Sequence, residues 1–365
     1  MTTKESVDKR TKSQFSRSDN RPYLIAGPCS AETEEQVLHI ARELSKDDRV
    51  RLYRAGIWKP RTRPGSFEGV GAEGLPWLQS VKAETGLKLT VEVAKAEHVE
   101  LCLEHGIDVL WIGARTTVNP FAVQEIADAL KGVDVPVLVK NPINPDMALW
   151  MGSVERILAA GVSDLAVIHR GFSHLSETYY RNKPIWQLPI AFQQRMPDIP
   201  IICDPSHICG RRDILREVAQ KAMDLNFDGL MIETHHDPDN AWSDARQQIT
   251  PTVLRGLITQ LTYRQDKVGD QLVQSELDVM RAEIAEIDSE LYALLSSRMK
   301  VVQKIGAYKK DNGITILQQQ QWAKILSIAI AKADSLGLSE EFIESYLEAL
   351  HDESIRQQED VMNKD

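Results

Sequence analysis

Apolar positions follow two rhythms along this chain, and the switch between them divides it. Up to about residue 265, short apolar runs of strand length alternate with longer stretches of helical pattern. The runs are Tyr23 to Gly27, Val50 to Tyr53, Leu87 to Val91, Asp108 to Ile112, Val135 to Val139, Asp164 to Ile168, Ile199 to Ile202 and Asp228 to Ile232. Eight strand–helix units in one stretch of roughly 240 residues predict a (β/α)8 TIM barrel, an α/β fold. Just beyond the runs stand Cys29, Arg54, Glu92, Arg115, Lys140, Arg170, Asp204 with His207, and Glu233. All strands of such a barrel end at one mouth, where active sites sit. Cations and metal-type ligands therefore converge there, which suits a small substrate carrying several negative charges.

After the eighth predicted helix, Thr250 to Arg264, the strand signal stops. Polar residues around Gly269 read as a linker over 266–275. Leu277, Met280, Ile284, Ile287, Leu291, Leu294 and Leu295 then recur at three- and four-residue steps, a helical stripe that runs on through Val302 and Ile305 to the stop at Asp311-Asn312-Gly313. Two shorter helices follow, about Gln318 to Ser335 and Ser339 to Glu359. The expected organisation is a tail over 1–22, the barrel over 23–265 and an all-α three-helix domain over 276–365. A long helix with so thin a core needs partners along its length, so at least a homodimer is expected, long helices side by side.

Composition narrows the function classes. The chain has 365 residues, 42% of them hydrophobic and 26% charged, with a formal net charge of -10. That acidity argues against broad nucleic-acid binding and makes the cations at the mouth stand out as local anion capture. No apolar stretch reaches the roughly 20 residues of a membrane helix, and residues 1–22 lack the apolar core of a secretory signal. They read as a flexible tail that the barrel could order. The four cysteines, Cys29, Cys102, Cys203 and Cys209, match no zinc-ribbon or redox spacing and fit a reducing cytoplasm. Cys102 and Cys203 read as packing; Cys29, in Gly27-Pro28-Cys29-Ser30, is presented at the mouth.

Two sets of candidates follow. Cys29, His207, Glu233 and Asp244 offer a thiolate, an imidazole and two carboxylates, a donor set for a divalent Mn, Fe, Co or Zn ion rather than magnesium. The alternative for each is a polar loop-end group satisfied by its neighbours. Arg54, Lys59, Arg61, Arg115, Lys140 and Arg170 would repel one another unless anions join them, and arginine forks bind phosphate and carboxylate in pairs of hydrogen bonds. Their alternative is sideways pairing between strands. A Schiff-base aldolase needs a buried lysine, commonly after strand six; Arg170 stands there and cannot serve, which leaves Lys140 as a weak candidate.

These residues carry a resemblance. Gly27-Pro28-Cys29-Ser30, Lys59-Pro60-Arg61-Thr62, Gly113-Ala114-Arg115-Thr116-Thr117, Val139-Lys140-Asn141, His169-Arg170-Gly171, Asp204-Pro205-Ser206-His207, Glu233-Thr234-His235 and Ser243-Asp244-Ala245 occur in barrel order. Over roughly residues 20–265 the chain resembles the type I-beta 3-deoxy-D-arabino-heptulosonate 7-phosphate (DAHP) synthases. The resemblance implies condensation of phosphoenolpyruvate with erythrose 4-phosphate. It implies a metal on Cys29, His207, Glu233 and Asp244, phosphoenolpyruvate on Arg54, Arg115, Lys140 and Arg170, and erythrose 4-phosphate on Lys59, Pro60, Arg61 and Thr62. Lys59 is the candidate proton donor to the new alkoxide. A 3-deoxy-D-manno-octulosonate 8-phosphate synthase is the nearest rival, and Lys59-Pro60-Arg61-Thr62 favours the erythrose 4-phosphate user.

On the long helix Arg298 and Lys309 lie eleven positions apart and share a face. Arg281, seventeen positions before Arg298, points about 100° round and would serve a partner's pocket in an antiparallel dimer. Ser354 and Gln358 share a face of the third helix. A solvated charged face would account for the same pattern. Leu277 to Gln358 nevertheless resembles the all-helical chorismate mutases, with Arg281, Arg298, Lys309, Ser354 and Gln358 matching their site residues. That implies rearrangement of chorismate to prephenate, with Lys309 and Gln358 on the ether oxygen. The chain departs from the pattern at Gln321 and Trp322, where better-known members carry arginine then glutamate. Without an inserted or N-terminal regulatory domain in the barrel stretch, the helical domain is the available sensor for prephenate or chorismate.

Overall fold

The computed structural model describes residues 13–18, 21–59, 67–174, 179–264, 271–317 and 319–363. The chain forms two compact units, Met1–Asp266 and Lys267–Asp365. The first is a closed barrel of eight parallel strands in sequence order. They are β1 (Tyr23–Gly27), β2 (Val50–Arg54), β3 (Lys88–Val93), β4 (Val109–Ile112), β5 (Val137–Lys140), β6 (Leu165–His169), β7 (Ile201–Cys203) and β8 (Gly229–Glu233). Four expected runs began one residue early, and two began two residues early, at Val135 and Ile199. Pro136 and Pro200 follow those residues and lack the N–H that a ladder needs, although their carbonyls accept from Leu110 and Val167 at 3.1 and 2.9 Å. Several strands instead run one residue further, so that Arg54, Lys140 and Glu233 are themselves the last strand residues.

Period-two alternation sorts the barrel's side chains. Ile25, Leu52, Trp111, Leu138, Ile168, Ile202 and Met231 form the inner cluster, while Leu24, Ala26, Tyr53, Leu110, Val137 and Val167 pack outward under the helices. Two residues beyond each inner hydrophobic the same parity delivers Arg54, Lys140, Arg170, Asp204 and Glu233 to the mouth. Gly27 ends β1 with φ +145°, and a Cβ there would meet the Arg54 carbonyl at 2.1 Å, so only glycine lets β1 and β2 close at the rim.

Residues 13–18, within the segment expected over 1–22 as a tail that the barrel could order, pack on the floor of the barrel. Phe15 is fully buried and meets Tyr23 edge to face, with ring centroids 5.3 Å apart. Ser13 and Gln14 donate to Asp164 at 2.5 and 2.8 Å, and the Arg17 amide reaches Asp228 at 3.3 Å. Residues 13–18 therefore cork the end opposite the mouth.

The second unit comprises a long helix, Gln271–Asp311, a second, Gln319–Ala333, and a third, Glu340–Met362, capped by Ser339. The long helix starts inside the expected 266–275 linker, because Gln271 to Gln274 contain no helix breaker; residues 265–270 lie outside the described residues. Its 41 residues span roughly 60 Å. Val279, Ile284, Ile287, Leu291 and Leu294 are exposed on the single chain. Among the described residues, no helix is long and apolar enough to cross a membrane.

Candidate functional site

Three strand ends and the segments after them bring the metal-type donors to one side of the mouth. Cys29 follows β1 with the inward parity of Ile25 and Gly27, and Glu233 ends β8. Asp244 lies in the next loop, and His207 sits on the short helix Pro205–Cys209 after β7. Ligand atoms of Cys29, Glu233 and Asp244 lie within 4.8 Å of one another. The Cys29 Sγ is 3.3 Å from Asp244 Oδ2, and His207 Nε2 is 3.7 Å from Glu233 Oε1. Asp204 caps the helix by accepting from the His207 amide at 3.1 Å, and its other oxygen lies 2.8 Å from His207 Nδ1. Nε2 is the ring nitrogen that faces Glu233, while Nδ1 has no aligned hydrogen-bond partner among the described residues.

The electrostatics of these groups agree with the donor set. Burial, then the neighbouring Glu233, pushes the Cys29 thiol up to about 12. Burial alone would raise the Glu233 and Asp244 carboxyls, but His207 and Arg54 on the first, and Arg181, His207 and Lys59 on the second, hold both below the usual range. A buried and a half-buried carboxylate, a neutral imidazole and a buried thiol within a few ångströms fit a divalent cation, whose charge would also favour the thiolate.

The cations line the rest of the mouth. Arg54 lies 3.1 Å from Glu233 Oε1 and stacks 5.1 Å from the Trp111 ring centroid. Its Nε and Nη1 are buried without a hydrogen-bond partner among the described residues. Lys140 Nζ donates to Asp204 at 2.8 Å. Burial pulls the Arg170 guanidinium down to about 10; Asp204 opposes that, whereas Arg181 and Arg115 add to it, so three guanidinium groups share this field. Arg115 is exposed on the short helix Ala114–Thr117. Lys59 reaches inward, its Nζ 2.6 Å from Cys29 Sγ, and its amide donates to the Glu68 carbonyl at 2.8 Å. Pro60, Arg61 and Thr62 lie outside the described residues. Two of the cations thus stand in ion pairs between strand ends, Arg54 with Glu233 and Lys140 with Asp204, which is the sideways pairing expected as their alternative.

Sequence reasoning missed Gln247 and Gln248 among the residues that hold these groups, and placed Glu92 at a strand end without a role. Gln247 donates to Glu233 at 2.7 Å, Gln248 accepts from the Cys29 amide at 2.9 Å, and Glu92 accepts from Trp111 at 3.2 Å. Only Glu92, at the end of β3, carried a positional signal.

In the helical unit Arg298 Nη1 donates to Ser354 Oγ at 2.8 Å, and Gln358 Nε2 to the Ser354 carbonyl at 3.2 Å. Gln358 Oε1 is buried without a hydrogen-bond partner among the described residues. Lys309 is buried and donates to the Ile316 carbonyl at 2.6 Å. Trp322 stacks on His351, centroids 4.0 Å apart, a contact with a residue that sequence reasoning did not single out. Gln321 is exposed. Arg281 is not gathered in: its side chain is 67% exposed and pairs with Asp278 at 3.1 Å.

An eight-stranded parallel barrel with a cation-lined mouth that also carries metal-type donors, joined to a helical unit with a buried polar cluster, defines an enzyme of phosphorylated or carboxylated small substrates. The chain belongs to the DAHP synthetase I family, whose model matches residues 6–268, and residues 280–359 match chorismate mutase type II. It carries a DAHP synthase domain and a chorismate mutase domain, both of aromatic amino-acid biosynthesis. A phospho-2-dehydro-3-deoxyheptonate aldolase of Thermotoga maritima is 29% identical over 246 residues, spanning 67% of this chain and 70% of its own. A 2-dehydro-3-deoxyphosphooctonate aldolase of Acidithiobacillus ferrooxidans is 28% identical over 242 residues, spanning 61% and 82%. The crystal structure of a Thermotoga maritima DAHP synthase superposes with a TM-score of 0.59 at 28% identity, over 66% of this chain and 68% of that one.

Proposed function

We propose that the barrel condenses phosphoenolpyruvate with erythrose 4-phosphate to DAHP and phosphate, with a divalent ion of the Mn, Fe, Co or Zn type, and that the helical unit converts chorismate to prephenate. The observation that carries the first reading is the cluster of Cys29, Glu233 and Asp244 within 4.8 Å, beside His207 and facing Arg54 and Lys59. Cys29, His207, Glu233 and Asp244 would hold the ion, which supplies Lewis-acid polarisation of the aldehyde. Arg54, Arg115, Lys140 and Arg170 take the carboxylate and phosphate of phosphoenolpyruvate. The partnerless Nε and Nη1 of Arg54 are the donors such an anion would satisfy. Lys59, Pro60, Arg61 and Thr62 take erythrose 4-phosphate.

With both substrates fixed, C3 of phosphoenolpyruvate attacks the aldehyde carbon, and Lys59 delivers a proton to the oxygen that becomes alkoxide. Water adds at C2, and phosphate leaves as the C–O bond to it breaks. The arginines hold the phosphate throughout and stabilise its departing charge. The octulosonate 8-phosphate reaction is the second reading, which the relatives of that name support. The Lys59-Pro60-Arg61-Thr62 segment and the attached chorismate mutase domain favour the heptulosonate. Turnover with erythrose 4-phosphate against arabinose 5-phosphate, each with and without chelator, tests the reading. Phosphate release with arabinose 5-phosphate alone, or full turnover after exhaustive chelation, would overturn it.

In the helical unit Arg298 and the partner subunit supply the clamp for two carboxylates, with Lys309 and Gln358 on the ether oxygen. Gln321 and Trp322 remove a cation and a carboxylate from that cage, so the unit serves as a prephenate or chorismate sensor as well as a mutase. Prephenate added to the full chain should slow the condensation; an unchanged rate sinks the sensor. The exposed apolar stripe of the long helix supports dimerisation, and four unpaired buried cysteines suit the cytoplasm.

A further inference from the structure

Two consecutive residues far from any strand end touch both halves of the mouth. Arg181 Nη1 donates to Asp244 Oδ1 at 3.0 Å and to Gln247 Oε1 at 2.6 Å. Gln247 in turn donates to Glu233 Oε2 at 2.7 Å. One guanidinium therefore fixes two of the four candidate metal ligands, one directly and one through an amide. In each acid the other oxygen faces the cluster: Asp244 Oδ2 lies 3.3 Å from the Cys29 sulfur, and Glu233 Oε1 3.7 Å from His207 Nε2. Asp244 needs such a hold, because its φ of +48° is sparsely populated for a residue with a side chain. The fold also clears room for Arg181. Gly210 has φ +66°, and a Cβ on it would lie 2.5 Å from the Arg181 Cβ and 2.8 Å from its Cδ.

Asn182, buried, turns the other way. Its Oδ1 accepts from Arg170 Nη1 at 2.9 Å, and its Nδ2 donates to the His207 carbonyl at 2.6 Å. It thus ties a phosphoenolpyruvate cation to the helix that presents the histidine ligand.

We propose that Arg181 and Asn182 are positioning residues that set the spacing between the divalent ion and phosphoenolpyruvate, Arg181 orienting the Asp244 and Glu233 carboxylates and Asn182 orienting Arg170. The inference rests on the reading of Cys29, His207, Glu233 and Asp244 as the metal set. Partners that orient metal ligands typically govern ion affinity by roughly 10- to 100-fold when removed. The Arg181 side chain is 44% exposed, so the low end applies.

The test is Mn(II) titration of the full chain, read by the paramagnetic resonance of the free ion, together with the KM for phosphoenolpyruvate at saturating Mn(II). Arg181→Ala should weaken Mn(II) binding roughly tenfold, with the KM moved less than about twofold. Arg181→Lys, which keeps the charge but loses the fork, should recover only part of that affinity. Asn182→Ala should raise the KM roughly tenfold and leave Mn(II) affinity within about twofold. Wild-type Mn(II) affinity in Arg181→Ala overturns the role of Arg181. Parallel losses of both quantities in both variants also overturn the division of labour, since a general structural defect does that. A wild-type chain that binds no Mn(II) overturns the metal reading beneath it, an outcome separate from the first two.

Discussion

At the barrel mouth, charged groups sit where strands stop; in the helical unit, they are spread along helices. The first arrangement closes on itself. Inward parity carries Arg54, Lys140, Arg170, Asp204 and Glu233 to one rim, and ion pairs between strand ends at 3.1 and 2.8 Å hold four of them there in a single chain. The second remains open. Arg298, Ser354 and Gln358 meet, Lys309 is buried nearby on the same helix, yet Arg281 points to solvent and a run of large apolar side chains is uncovered. A closed sheet has no edge and needs no partner to complete its site, whereas three thin helices bury too little to do the same.

The largest effect that should expose this difference is on the closed site. His207→Ala removes the imidazole between Asp204 and Glu233, and the condensation rate should fall by more than about 100-fold with loss of bound divalent ion, because a ligand is worth more than its outer partners. Chorismate turnover by the same chain should be unchanged. A His207→Ala chain with near-wild-type condensation would remove the barrel assignment.

A smaller loss is expected on the open site. Arg298 makes a 2.8 Å hydrogen bond to Ser354 and is the one clamp arginine gathered within the chain. Arg298→Ala should lower chorismate turnover by roughly 100-fold, the usual cost of a donor aimed at developing charge. Condensation in the absence of prephenate should keep its wild-type rate. Equal loss of both activities would mean that the substitution disturbs folding rather than the pocket.

How far these sites were legible follows from the same geometry. A strand-end residue is announced by the apolar run before it, so Arg54, Lys140 and Glu233 could be read directly, as could the eight strands to within two residues at each end, the largest start errors lying at Pro136 and Pro200. Arg181, Asn182 and Gln247 could not. They stand eleven or more residues past their strands, in loops with no period, and their importance lies in which oxygen each touches. Phe15 was hidden for another reason: one apolar residue in a polar tail carries no rhythm, although it fills the floor of the barrel. On the helices, eleven-residue spacing placed Arg298 and Lys309 on one face, but no spacing could reveal that Trp322 lies on His351.

The smallest effect is the one that most sharpens the contrast, because it is a recovery. If Arg281 completes a partner's pocket, Arg281→Ala and Arg298→Ala are each defective at every site of their own homodimers. In a mixed dimer, however, one pocket combines the intact Arg298 of one subunit with the intact Arg281 of the other, and the second pocket lacks both. Random exchange makes half the dimers mixed and half of their pockets whole, so chorismate turnover should return to about a quarter of wild type. Condensation should be insensitive to the mixing, since the candidate metal donors and the ion pairs beside them gather within one chain. No recovery after demonstrated subunit exchange would confine the helical site to one chain, and the exposed Arg281, paired with Asp278 at 3.1 Å, would then be a surface residue only.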